Sequence, residues 1–163
     1  MRTDWICRDD CKILLRLLTP ANALVMETAF DTGLRVGDIL ELRPDQITRQ
    51  RFTVRDRKTG KSRRIYLPEN LRSRLANQAG AVWVFPGAID PDHKHRTRQA
   101  VWTDIKRAAK AMRVKETWGC HSARKVYAVN IYRRKGLDAA RQALGHDNTA
   151  TTLVYLASEL CRA

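Results

Sequence analysis

One stretch of this 163-residue chain alternates with period two, and it limits the fold more than any other feature. In "RFTVRDRKTGKSRRIYLP", residues 51–68, β-branched and aromatic residues recur at alternate positions on both sides of Lys58-Thr59-Gly60. That pattern is a β-hairpin with its turn at the lysine. The rest of the chain reads as helices punctuated by glycine and proline. Asp9 or Asp10 is expected to cap a helix to about Leu18, closed by Thr19-Pro20. A second helix should run from about Ala21 to Gly33, a C-terminal glycine signal. "RVGDILELRPDQI" reads as a short helix and a Pro-Asp turn. Further helices are expected at 69–78 and 98–112, with "AVWVFP" extended and "GAIDPDHKHR" a loop. From His121 onward the sequence predicts three helices, broken at Gly136 and Gly145. There are no repeats or low-complexity linkers. The expected fold is a single mainly α domain with a small antiparallel β-sheet (α+β).

Charge points to the partner. The chain carries 31 Lys and Arg against 17 Asp and Glu, a formal net charge of +14, far more than solubility requires. Such an excess suggests a polyanion. The basic residues concentrate around the hairpin, from Arg49 to Arg74, and again from Lys94 to Lys115. A basic hairpin can lie along a phosphate backbone, so nucleic acid is the expected partner and a membrane is not. Apolar runs such as 81–85 are too short to span a bilayer. The opening "MRTDWICRDD" has charges where a signal peptide needs an apolar stretch. Cys7, Cys11, Cys120 and Cys161 form no C-x-x-C pair, and a chain of this length needs no disulfide staples. A reducing cytosol is the expected compartment.

Several chemistries are missing. No P-loop motif and no H-E-x-x-H occurs, nor a carboxylate cluster for a two-metal nuclease. Asp90, Asp92, His93 and His95 read better as a polar loop than as a metal site, and Cys7 and Cys11 better as packed thiols than as half a zinc site. No metal or cofactor is expected. What remains is a set of cationic and hydrogen-bonding groups beside breaks in the chain: Arg35 after Gly33, Lys58 at the hairpin tip, His121 and Arg124 in "HSAR", and His146 after Gly145. Tyr155 follows between two and three turns later. Taken singly, each has an ordinary reading as a salt bridge, a solvated turn, a helix cap or a packed ring.

Together they suit one reaction. Attack on a phosphodiester builds negative charge on phosphorus, which paired guanidinium N–H donors stabilise. A tyrosine hydroxyl, with an ordinary pKa of about 10, needs a basic neighbour or a cationic field to attack. The departing alkoxide needs a proton, which a lysine can give, and histidine can act as base or oxyanion donor.

Arg35 in "TGLRVGDILEL", Lys58 in "RKTGKSRRIYLP", His121 and Arg124 in "HSAR", His146 in "LGH" and Tyr155 resemble the tyrosine recombinases, the phage-integrase family. The six positions stand in the family's order, and the likeness covers about residues 14–157. The resemblance implies the catalytic-domain fold of the DNA breaking-rejoining enzymes and site-specific recombination through a 3′-phosphotyrosyl intermediate, without metal or ATP. It makes Tyr155 the nucleophile, Arg35 and Arg124 the phosphate clamp and Lys58 the acid for the 5′-oxygen, with His121 and His146 assisting. Tyr127 and Tyr132, in the His121 helix, are expected to pack. Asp38 stands where the family commonly has Glu and could brace Arg35 equally; Lys125 takes a usual histidine position.

The resemblance further implies one catalytic domain over 1–163, with the usual N-terminal DNA-clamping domain absent from these residues. It implies double-stranded DNA as partner, a homo-oligomer of four chains on it, a monomer allowed when free, and a nucleoid-associated place in a bacterial cytoplasm. A telomere resolvase or type IB topoisomerase would keep the chemistry and change its outcome; the short "TGLRVGD" and "LGH" motifs favour the recombinase. A DNA-binding regulator without catalysis is the remaining alternative, and the six intact residues argue against it.

Overall fold

The computed structural model describes residues 4, 6–55, 60 and 62–160. Helices α1 (Arg8–Leu17), α2 (Pro20–Thr32) and α3 (Val36–Leu40) lead through a 3-10 turn at Pro44–Ile47 to strands β1 (Arg51–Arg55) and β2 (Ser62–Tyr66). Helices α4 (Glu69–Gln78), α5 (Arg98–Ala111), α6 (Ser122–Leu144) and α7 (Thr149–Leu160) follow. The sheet is one antiparallel pair in which Phe52 faces Ile65 and Val54 faces Arg63. The mainly α architecture with one small sheet is therefore as expected. The hairpin tip, with Arg57, Lys58 and Lys61, lies outside the described residues, as does Cys161.

Local chemistry explains most boundaries. Pro20 at the first position of α2 brings a preset φ and has no N–H to leave unbonded. Gly33 ends that helix at φ 65°, a left-handed conformation that side chains disfavour. A Cβ there would also stand 2.3 Å from the Tyr127 ring. Gly136, at φ 81° and ψ −176°, kinks α6 into two helical pieces, which gives the expected three helices in the last third.

Three details differ from the sequence reading. Cys7, not an aspartate, caps α1: its sulfur accepts from the Asp10 N–H at 3.4 Å, and Asp9 and Asp10 sit in the first turn, where they favour the helix dipole. The "AVWVFP" stretch is extended only at its end, where Pro86 pairs with His95 in an isolated antiparallel bridge, and it forms no strand of greater length. Instead Val84 and Phe85 are buried, and the Val84 N–H bonds the Leu42 carbonyl at 2.9 Å. His146 belongs to the end of α6 rather than the start of α7. Gly145 is left-handed at φ 66°, the Gly145 N–H bonds the Gln142 carbonyl at 3.0 Å, and the His146 N–H bonds the Arg141 carbonyl at 3.1 Å. This is a Schellman closure. Asn148 then caps α7, accepting from the Ala150 N–H at 2.8 Å.

Two cores result. The main one joins α1 through α5 with the start of α6, including Leu14, Met26, Ile39, Phe85, Ile105 and Trp118. The second is much smaller: Ala128, Val129, Leu144 and Leu156, flanked by Tyr127, Tyr132, Leu137 and Tyr155. It attaches α7 to α6. Tyr127 and Tyr132 pack there, as expected. Among the described residues no helix is long and apolar enough to cross a membrane.

A buried carboxylate fastens α5 to the α1–α2 junction. Asp104 Oδ2 accepts from the Thr19 N–H (2.8 Å), the Thr19 hydroxyl (2.9 Å) and the Asn22 amide (2.8 Å), while Oδ1 accepts from Arg107 Nε (3.0 Å) and Nη2 (2.7 Å). Burial alone would raise its pKa. The donors from Asn22, Thr19 and Arg107 outweigh burial and hold it at about 2 against an ordinary 3.8. A depressed carboxyl pKa stabilises the fold above the unfolded value and loses that contribution as pH falls through the folded one. Urea unfolding should therefore show about 2 kcal/mol lost between pH 4 and pH 2 from this group. Asp104→Asn should lose at least that much at pH 7 and flatten the acid slope; an unchanged slope would refute the assignment.

Candidate active site

Arg35 is the N-cap residue of α3, two residues beyond the left-handed Gly33. The turn lifts its side chain off the end of α2, and 26% of it remains exposed. Asp38, nearly buried, stands one turn on with its Oδ2 4.0 Å from Arg35 Nη1, so aspartate does reach the brace position.

His121 and Arg124 come from the first turn of α6, where a separation of three puts them on one face. Arg124 is 1% exposed, an extreme for arginine. Its Nη1 donates to the Gly33 carbonyl, and its Nη2 donates to the Leu144 carbonyl at 2.5 Å. One guanidinium thus joins the turn that presents Arg35 to the turn that presents His146. His121 is half-buried beside it. Burial lowers its pKa from 6.5, and the cations of Arg98, Arg124, Arg35 and Lys125 lower it further. Both effects favour the uncharged ring, the form that can accept a proton.

His146 and Tyr155 meet edge to face, ring centroids 5.1 Å apart. His146 Nδ1 lies 3.1 Å from the hydroxyl of Thr152, which is fully buried one turn before Tyr155 on α7. That contact fixes one edge of the imidazole against the helix that carries the tyrosine. The two rings stand nine positions apart in sequence; the Schellman turn and the α7 cap fold that spacing into contact.

Five of the six sequence candidates are described: Arg35, His121, Arg124 and His146 lie at or beside these joined turns and Tyr155 lies on α7 against His146, while Lys58 lies outside the described residues. No group of three or more potential metal ligands exists among the described residues. His93 instead pairs with Asp90 at 2.8 Å, and His95 packs edge-on against Trp83. Cys11 is buried and its thiol pushed up to about 12, mainly by burial, so it is a packing group. A cleft of 620 Å³ between β2 and α6 lies beside the cluster, and none of the five candidates lines it.

The model of the phage integrase family matches residues 8–160. The chain belongs to the phage integrase family. Tyrosine recombinase XerA of Pyrococcus furiosus is 26% identical over 143 residues, covering 82% of this chain and 49% of the relative. The integrase of Escherichia phage P2 is 25% identical over 155 residues, covering 94% and 42%. The chain thus spans about half the length of these relatives. The fold matches the catalytic domain of bacteriophage HP1 integrase, with a TM-score of 0.72 at 18% identity, covering 96% of this chain and 89% of that one. It also matches a lambda integrase dimer bound to a COC′ core site, with a TM-score of 0.77 at 21% identity, covering 95% and 59%.

Within this phage-integrase fold, the sequence did not single out Thr152 or Arg98. Arg98 opens α5, and its charge acts on His121 from outside the "HSAR" motif. A threonine mid-helix carries no distinctive pattern, and only the folded chain brings Arg98 to α6.

The two arginines should respond differently to mutation. Arg124→Lys keeps the charge but cannot span both carbonyls. Each buried carbonyl left without a donor costs about 1–3 kcal/mol, so this variant should lose about 2–4 kcal/mol in urea unfolding. Arg35→Lys, at a partly exposed position, should lose less than about 1 kcal/mol. Equal losses would contradict the tether.

Proposed function

We propose that this chain performs the strand cleavage and rejoining of an integrase-type site-specific DNA recombinase. Tyr155 Oη attacks the scissile phosphorus, a P–O bond to tyrosine forms, and the bond to the 5′-oxygen breaks. Lys58 gives that oxygen its proton. Arg35 and Arg124 hold the phosphate oxygens as charge builds, with His121 as a neutral base and His146 as a donor beside the nucleophile. Rejoining reverses the step, with a 5′-hydroxyl attacking the phosphotyrosine. The diester energy stays in the covalent bond, so ATP is unnecessary, and guanidinium charge takes the part a metal would play. Two partner duplexes present four strands and each chain has one nucleophile, so four copies on DNA complete an exchange.

The observation that carries this reading is the contact of His146 with Tyr155, 5.1 Å between centroids, on a turn that Arg124 ties to that of Arg35. The net charge of +14 and the family membership add support. Tyr127, which lies near the Arg63 and Arg124 charges, has its pKa raised by burial, which suits packing and not attack.

A nicked suicide duplex carrying the target site should become covalently attached to the wild-type chain. Tyr155→Phe should bind it and form no adduct; an undiminished adduct would remove Tyr155 from its role. Lys58→Ala should slow cleavage by about 10²–10⁴-fold, the usual range for a lost general acid. Replacing the bridging 5′-oxygen with sulfur, which leaves without a proton, should restore Lys58→Ala but not Arg35→Ala. Rescue of Lys61→Ala instead would move the acid to Lys61.

A further inference from the structure

The C-terminal end of α6 shows where another residue acts. A helix leaves its last four carbonyls without intrahelical donors, at the negative end of its dipole. Here all four are accounted for. The Gly145 and His146 N–H groups take Gln142 and Arg141, Arg124 takes Leu144, and Arg63 Nη1 takes Ala143. Arg63 comes from β2, 80 residues away. Its side chain also lies over Gly145, where an added Cβ would stand 3.1 Å from Arg63 Cδ. The glycine is thus fixed twice, by its left-handed φ and by the arginine above it.

The register makes this position unusual. Side chains alternate across a strand, so Arg63 shares the inward face of β2 with Ile65 and stands opposite Val54. An inward position is normally apolar. An arginine there serves the contact it makes, and that contact is with the turn one residue before His146.

We propose that Arg63 is a positioning residue for cleavage: it locks the His146 turn to strand β2. Arg63 donates to the Ala143 backbone carbonyl, so it acts through His146 and, by the ring contact, through Tyr155. The tie holds the end of α6, the turn from which His146 reaches Tyr155. The assignment of a step to Arg63 rests on the recombinase reading above; the physical tie does not.

Arg63→Met, similar in length and without donors, tests both parts. Hydrogen exchange should quicken in residues 141–155 and stay unchanged in α2 and α5. Adduct formation on the suicide duplex should slow about 10–100-fold, the scale of an ångström-sized misplacement. Arg63→Lys, with one donor able to reach Ala143, should recover part of the rate. Sulfur at the 5′-bridge should not rescue Arg63→Met, and combining it with His146→Ala should slow the reaction less than the product of the single effects.

Three results would overturn the proposal: unchanged exchange in 141–155, full additivity with His146→Ala, or weakened DNA binding with the salt slope reduced by about one. The last would make Arg63 a phosphate contact. If wild type forms no adduct on its site, the recombinase reading fails, while the exchange result still decides whether Arg63 holds the turn.

Discussion

The buried guanidinium of Arg124 is the interaction on which the site depends. It donates to Gly33 on one side and Leu144 on the other, carbonyls 111 positions apart in sequence that close the ends of two helices. Burying a charge is costly unless its hydrogen bonds are met. Helix C-termini are among the few backbone places that offer unclaimed carbonyls and a negative potential together. The fold brings two such ends to one arginine, and each end leads directly into a candidate residue, Arg35 or His146. The same group that would face a phosphate is therefore part of the frame that sets its neighbours.

This arrangement explains why glycines stand at both turns. Gly33 and Gly145 each adopt a left-handed φ that ends a helix and turns its last carbonyls outward. Each is also pressed by a side chain from elsewhere, Tyr127 at Gly33 and Arg63 at Gly145. Substituting either would strain the backbone and displace a residue that braces the site. The main core holds α2 and α3, whereas among the described residues α7 packs on α6 through the small second core and the contact of His146 with Thr152.

Helix positions and types were legible because the signals are local. Proline at the start of α2, glycine at its end and period-two alternation in the hairpin each act within a few residues. The failures were competitions that local rules cannot settle. Cys7 took the cap that Asp9 or Asp10 was expected to fill, since the chain enters α1 with Ile6 buried just before it. "AVWVFP" has β-rich composition, yet its valine and phenylalanine serve the core and its backbone bonds a loop. Thr152, Arg63 and Arg98 escaped notice because each gains its meaning from a partner distant in sequence or from a helix face unseen until folded. Arg63 alone left a trace, as a charge at an inward strand position.

By itself the sequence determined the helices, the single hairpin, the cationic character and the order of the six residues of the family pattern. These follow from backbone sterics, hydrophobic period and charge, all properties of neighbouring residues. The tertiary structure alone decided that Arg124 is buried between two helix ends, that burial and four cations lower the His121 pKa, and that His146 meets Tyr155. Those outcomes depend on which carbonyls, charges and rings come together after packing. Burial and distance set their energies, and neither is a property of the sequence until the chain closes on itself.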